Sequence, residues 1–372
     1  MPNTLTSQRS QEDHAGTISS EDDIELGLLL ESERIWVTLQ PHILRRGYRL
    51  RPRYDPDWTP SWLKEDFHGR EKYYDDFEDS IPAYKPLLDA VRLSDNQKVV
   101  LKLVETNTQE LPISLYLSSP DRRDPRNRSV PVLDVILIPG NDEQVLMVMP
   151  CLLAMYKIPF RRVGELCEAA VQILESFEFL HGHNIAHRDV SDSNIALDSS
   201  KVIPKGYHFY RSSSHEDGAP TVFGFKWNSR WSVRPNRYYI IDFGLSVHCS
   251  SKSETVVGEV GQDRTVPEMS DTIPYNPFTA DIYQLGNMFY EFIDGYDGFD
   301  DFRKLAEAMT RKNPAQRPTV SEAIVICKNI IQEIKKSGKM SKRVWARTAD
   351  GRYMVQGLEK IAMILFGWNP LY

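Results

Sequence analysis

HRDVSDSN, His187 to Asn194, is the stretch on which the rest of the chain turns: a polar loop, directly after a long apolar-periodic segment, with Asp189 and Asn194 five positions apart. Downstream, RYYIIDFG, Arg237 to Gly244, is a strand-like run that delivers Asp242, Phe243 and Gly244. Phosphoryl transfer asks for a carboxylate to orient the attacking hydroxyl and for separate oxygen ligands to hold Mg²⁺ against the phosphates. The two runs supply both. Each triplet alone is a weak signal, whereas HRD with an asparagine five positions on and DFG downstream is a strong one.

Outward from these motifs the periodicity changes along the chain. DAVRLSDNQKVVLKLV, from Asp89, reads as two strands around a turn at Ser94–Gln97, because alternating apolar residues flank turn-forming ones. ELPISLYLSS follows as a short helix, with Pro112 tolerable only in its first turn. VPVLDVILI and QVLMVMP read as two more strands, and Gly140 and Asn141 supply the turn between them. RVGELCEAAVQILESFEFLHGH carries helical apolar spacing and stops at Gly182, and FTADIYQLGNMFYEFI and the segments after Phe302 and Val320 also read as helices. Strands first and helices later predict a segregated α+β arrangement in two lobes.

The chain resembles the eukaryotic protein kinase superfamily over most of residues 87–331, and the resemblance can be followed motif by motif. VVLK places Lys102 on the third strand, with Glu110 as its helix partner. VPE at Val266–Glu268 is similar to the family's A-P-E, DIYQLG at Asp281–Gly286 to its helix-F motif, and NPAQRPT supplies Arg317. The resemblance implies a two-lobed fold, small and β-rich then large and helical, with ATP and Mg²⁺ between the lobes. It implies Asp189 as the catalytic carboxylate, with Lys102 on the phosphates and Asn194 and Asp242 on the metal. It further implies Met149, Cys151 and Leu152 around the adenine, a Glu268–Arg317 anchor for the activation segment, and Asp281 as a buried acceptor below the catalytic loop. Ser250, Ser251, Ser253 and Thr255 fall in that segment as phosphate acceptors, with Arg188 as a partner.

Several positions depart from the family pattern. No glycine lies between Arg70 and Pro139, and EDSIPAYKPLL, where a glycine-rich loop belongs, holds two prolines that remove N–H donors. Ser191 and Ser193 stand where protein kinases usually carry a base after the aspartate, which weakens charge stabilisation on the transferring group. GQDRTVPE offers Thr265 at an unusual spacing. The 53 positions from Asp189 to Asp242 include PKGYHFYRSSSHEDGAP, read as a surface loop. Together with YLSS, DPRN and YYIIDFGLS, these features are similar to a fungal kinase-like family.

The domain reading is a disordered tail over 1–23, an N-terminal extension over 24–86, the kinase-like domain over 87–335 and a C-terminal extension over 336–372. In the extension, Arg45, Arg46, Tyr48, Arg49, Arg51, Arg53, Tyr54, Trp58 and Trp62 interleave before an acid-rich stretch at Tyr73–Asp79. Such a cluster can stack on single-stranded nucleic acid, but the net charge of −7 and the acidic neighbour argue for docking on the small lobe instead. Four scattered cysteines, no leader-like start, and an apolar run at Ile361–Trp368 too short for a bilayer point to an intracellular, cytoplasmic protein. The expected function is a Ser/Thr-type protein kinase acting on protein substrates. A pseudokinase scaffold is the alternative. A small-molecule phosphotransferase is disfavoured by the VPE, DIYQLG and Arg317 features.

Overall fold

Val99, Leu101 and Val148 are apolar residues with almost no exposed surface, and the strands that carry them lie side by side. The computed structural model describes residues 29–59, 86–210 and 227–347. The sequence readings on the 1–23 tail, Trp62, the Tyr73–Asp79 stretch, Glu78–Lys85, the far part of the insertion and Ile361–Trp368 lie outside the described residues.

The small lobe is one antiparallel sheet of β1 (Tyr48–Arg49), β2 (Leu87–Arg92), β3 (Gln97–Glu105), β4 (Asp134–Ile138) and β5 (Asn141–Pro150), in the order β1-β2-β3-β5-β4. The β2–β3 hairpin turns through Ser94–Asn96, where Asn96 takes the left-handed conformation that asparagine tolerates in turns. β4 starts only at Asp134. Pro131 has no N–H to give, and Val130 donates instead to Ile240 of the other lobe, so this stretch bridges the lobes rather than extending the sheet.

The edge strand β1 and the helix before it, α1 (Arg34–Arg45), come from the segment read as an extension. Trp36, Leu39 and Ile43 of α1 share a buried cluster with Leu88, Val99, Leu101, Leu146 and Val148 of the sheet. Each such side chain contributes about 1.5–3 kcal/mol on leaving water. Arg53, fully buried, is held bidentate by Glu33 at 2.8 and 2.9 Å, and Arg51 lies 3.2 Å from Asp89. Two of the arginines in the Arg/aromatic run are thus paired inside the lobe, and among buried charges a full set of partners is what offsets desolvation.

Helix α2 (Glu110–Ser118) crosses behind the sheet, and β6 (Leu153–Ala154) leads from β5 into the large lobe. There α3 (Val163–Gly182) is the central helix: Leu166, Ala170, Ile173, Leu174, Phe177 and Leu180 are all buried, as their spacing predicts. Glu165 caps its start, accepting from the N–H of Arg161 at 2.6 Å. Two short sheets carry the chemistry-bearing loops: β6 with β8 (Ile195–Leu197) and β9 (Tyr238–Ile240), and β7 (Ile185–Ala186) with β10 (Val247–His248). Between β8 and β9 sits the one-turn helix α4 (Arg230–Val233).

Helices α5 (Pro277–Gly295), α6 (Arg303–Met309) and α7 (Val320–Lys336) complete the large lobe, and β11 (Tyr296–Asp297) pairs with β12 (Trp345–Ala346). Gly286 of α5 is required by close packing, because a Cβ there would lie 2.9 Å from that of Met309. Thr319 caps α7, its hydroxyl accepting from Glu322 N while Glu322 takes the Thr319 N–H at 2.7 Å. Thr319→Ala is expected to cost about 1 kcal/mol of unfolding free energy, measured by urea denaturation. No helix among the described residues is long and apolar enough to cross a membrane.

Candidate active site

Lys102 sits mid-strand on β3, opposite Leu87 and Met147, so its stem is covered by the sheet and its ammonium emerges on the face toward the large lobe. There it meets two carboxylates at once. Glu110, the first residue of α2, accepts from Nζ in a short bond, and Asp242 Oδ1 accepts at 2.9 Å. Burial works against the Lys102 charge, but Asp242 and Glu110 outweigh it and hold its pKa above the ordinary lysine value. Burial raises the Glu110 carboxyl, and Lys102 only partly offsets that. For Asp242, burial is overcome by Lys102 and by the Gly244 N–H, so this carboxyl lies below its usual range. One ammonium shared by two acids thus favours ionised Asp242, whose side chain is 49% exposed against 9% for Glu110. By linkage, the Asp242 contribution to stability is present above about 3.9 and lost as pH falls through its depressed value; that of Lys102 is complete below about 10.4 and lost above it.

Asp189 and Asn194 form the second group. Asn194 Nδ2 donates to the Asp189 carbonyl at 2.8 Å and to Oδ2 at 2.9 Å, and the Asn194 carbonyl accepts from Ile241 N, next to Asp242, at 3.0 Å. That backbone bond brings the loop of Asp189 beside Asp242, 53 positions further along the chain. Arg188 and Asp242 both hold left-handed φ angles, 66° and 63°. Such conformations cost roughly 1–3 kcal/mol and persist where the surroundings over-determine them. The surroundings here are explicit: fully buried Asp281 of α5 accepts from the backbone N–H of His187 at 2.8 Å and of Arg188 at 2.7 Å, and pairs with His181 at 2.9 Å. Phe243, buried, packs against the His187 ring at 5.4 Å, and His187 Nε2 is 3.1 Å from the Ile241 carbonyl.

The activation segment is anchored at its far end by Arg317, whose two terminal nitrogens donate to the two Glu268 oxygens at 2.5 and 2.7 Å. Arg188 donates to the Val257 carbonyl at 2.9 Å; Ser250 is bonded to Glu254, and Ser251 to Ser253. Thr265 turns away from the catalytic loop, toward Asp263 and Asn287. Gln262 takes the place beside the loop instead. Its N–H donates to Asp189 Oδ1 at 2.7 Å, and its side chain bonds Ser193, which in turn bonds Ser191. Gly261 makes this approach possible at φ 88°, since a Cβ there would lie 2.7 Å from the Arg188 carbonyl.

Lys102, Glu110, Met149, Leu152 and Asp242 line a cleft between the lobes together with Val100, Met147 and Phe243. Cys151 is not among the lining residues, and its thiol lies 3.4 Å from the Tyr207 hydroxyl. Phe209 is among them, and it comes from the insertion read as a surface loop. Both ends of that insertion are built into the fold. Arg230 is fully buried, donates to the Met155 and Ile158 carbonyls at 2.5 and 2.6 Å and stacks on Phe160, while Asn236 is held by Glu168 and Gln172 of α3.

The protein kinase domain family matches residues 154–303, which run from β6 to the start of α6 and include every motif of the catalytic loop and activation segment. Over those residues the chain is protein-kinase-like. An Aurora kinase of Yarrowia lipolytica is 28% identical over 131 residues, 35% of this chain and 25% of that protein. A Saccharomyces cerevisiae protein named provisionally as a serine/threonine-protein kinase is 24% identical over 200 residues, 46% of this chain and 18% of that one. The chain therefore spans a quarter or less of these kinases' own length. The small lobe lies largely outside the family match, in keeping with a kinase-like sheet whose edge strand and covering helix precede a glycine-free β2.

As for a metal, no group of three His, Cys, Asp or Glu side chains among the described residues could hold an ion unaided. Mg²⁺ needs no such group, because it binds through one or two side-chain oxygens and completes its shell with water and phosphates. The Asp242 carboxylate and the side-chain Oδ1 of Asn194 are the oxygens suited to it.

Proposed function

We propose that the chain is a Mg²⁺-dependent protein kinase that transfers the ATP γ-phosphoryl group to Ser/Thr hydroxyls of protein substrates. The observation that carries this reading is Lys102 shared between Glu110 and Asp242 inside the interlobe cleft. Such a held ammonium is poised for phosphate oxygens, and ionised Asp242 for the metal that neutralises them. Asn194 and Asp242 would hold Mg²⁺, which when bound screens charge between the phosphates. Asp189 would accept the hydrogen bond of the incoming hydroxyl and orient it for attack. The named Ser/Thr specificity of one relative supports the acceptor class.

A pseudokinase scaffold is the second reading. It is favoured by Asp189 itself, both of whose oxygens receive neutral donors, Asn194 and Gln262, and by serines where a base would stabilise the transferring charge. The test is transfer of labelled γ-phosphate from MgATP to a serine- and threonine-rich protein by the purified chain. Turnover supports the kinase. Saturable MgATP binding with no transfer above the Asp189→Ala background leaves the scaffold.

A further inference from the structure

The insertion between β8 and β9 crosses from the large lobe to the small one through Tyr207, His208, Phe209 and Tyr210. Tyr207 is buried in the large-lobe core, its hydroxyl 3.4 Å from Cys151 Sγ at the hinge. Its carbonyl accepts from Lys98 Nζ of β3 at 3.3 Å, and Lys98 is also 3.3 Å from buried Asp89 of β2. Tyr210 donates its hydroxyl to the Leu87 carbonyl at 2.8 Å, and the Arg51 guanidinium lies 5.0 Å over its ring. The strap is therefore fastened to β2, to β3 and to the hinge, on either side of Phe209.

Phe209 itself is half-buried and makes no such fastening; its ring sits edge-on to Tyr210 at 4.8 Å and lines the cleft. Within the rest of the lining Lys102, Glu110 and Asp242 are charged, while Leu87, Val100, Met149 and Leu152 are apolar. The cavity has a volume of about 140 Å³. An apolar lining that includes an aromatic ring suits a flat π-system, since offset-stacked and edge-on packing both favour it.

Resting on the nucleotide reading above, we propose that Phe209 is a base-contacting residue: it forms the outer wall of the pocket for the purine of a nucleoside triphosphate. Tyr207 and Tyr210 are positioning residues that hold the wall in place. The insertion thus supplies a contact to the base from the large lobe. The opposite role, an internal plug that nucleotide must displace, has the opposite consequence for affinity, and so the two are separable.

The experiment is calorimetric titration of the full chain with MgATP and, separately, with Mg-tripolyphosphate, which has no base. Phe209→Ala is expected to weaken MgATP by about tenfold, Phe209→Trp to retain most affinity, and Tyr210→Phe to weaken it about threefold. Tripolyphosphate binding should be the same in all four proteins. Thermal unfolding controls for folding, and half-buried Phe209 is expected to tolerate both changes. Unchanged MgATP affinity in Phe209→Ala overturns the proposal, and tighter binding overturns it in favour of a plug. A wild type that binds MgATP without transferring phosphate removes the kinase reading and leaves this one standing; a wild type that binds no MgATP removes both.

Discussion

Asp189→Ala should lower the rate of phosphoryl transfer by roughly 10²–10⁴-fold while MgATP affinity stays within about twofold. The asymmetry follows from placement. Asp189 is bonded to Asn194 and to the Gln262 N–H and is absent from the cleft lining, whereas Lys102 and Asp242 line it. Removing the carboxylate takes away the acceptor for the incoming hydroxyl and leaves the nucleotide contacts intact, which is the signature of a group used in the transition state. The loss to stability is confined to two hydrogen bonds, each worth about 1 kcal/mol net. Gln262→Ala makes a useful companion: its backbone donor survives, so a drop in rate would trace to the link through Ser193.

Arg317→Ala is expected to destabilise the fold by about 3 kcal/mol, because it leaves partly buried Glu268 with no cation. The Arg317 side chain is fully buried and that of Glu268 is 15% exposed. Arg317 also donates to the carbonyls of Arg311 and Thr279 and lies over the Tyr283 ring at 4.7 Å, so the change removes packing as well as charge. In a domain of this size that corresponds to a midpoint lower by about 10 °C in calorimetry. Adding Glu268→Gln should restore part of the loss, since the unpaired carboxylate is then gone. A double variant no better than the single one would place the cost in packing alone.

Most of the large lobe was legible from spacing, and the site motifs were legible from order. The α3 face and the strands of the small lobe rest on local residue patterns, whereas the Lys102–Glu110, Glu268–Arg317 and Asp281 pairings were read from the resemblance to protein kinases. Helix α1 was harder to read. Trp36, Leu39 and Ile43 have helical spacing, but Pro41 lies inside the helix, and the composition of the arginine-rich run after it pointed to docking on the small lobe without marking a helix. Gln262 escaped because it binds Asp189 through its backbone, where the side chain's identity carries no signal; the glycine before it was the available clue. Phe209 escaped for a different reason. A Ser/His/Gly-rich insertion has the composition of a surface loop, and nothing in one dimension shows that Tyr207 turns back onto the hinge, Phe209 into the cleft and Tyr210 onto β2.

On the proposed reading, Lys102 from the small lobe and Asp242 from the large one together hold the triphosphate and its metal in one cleft. Equilibrium ATP titrations with Mg²⁺ and with a chelator, on the wild type and on Asp242→Asn, address it directly. The wild type should bind ATP at least tenfold more tightly with Mg²⁺, and Asp242→Asn should lose most of that gain. Equal metal dependence in the two proteins, with both still folded, would contradict the account.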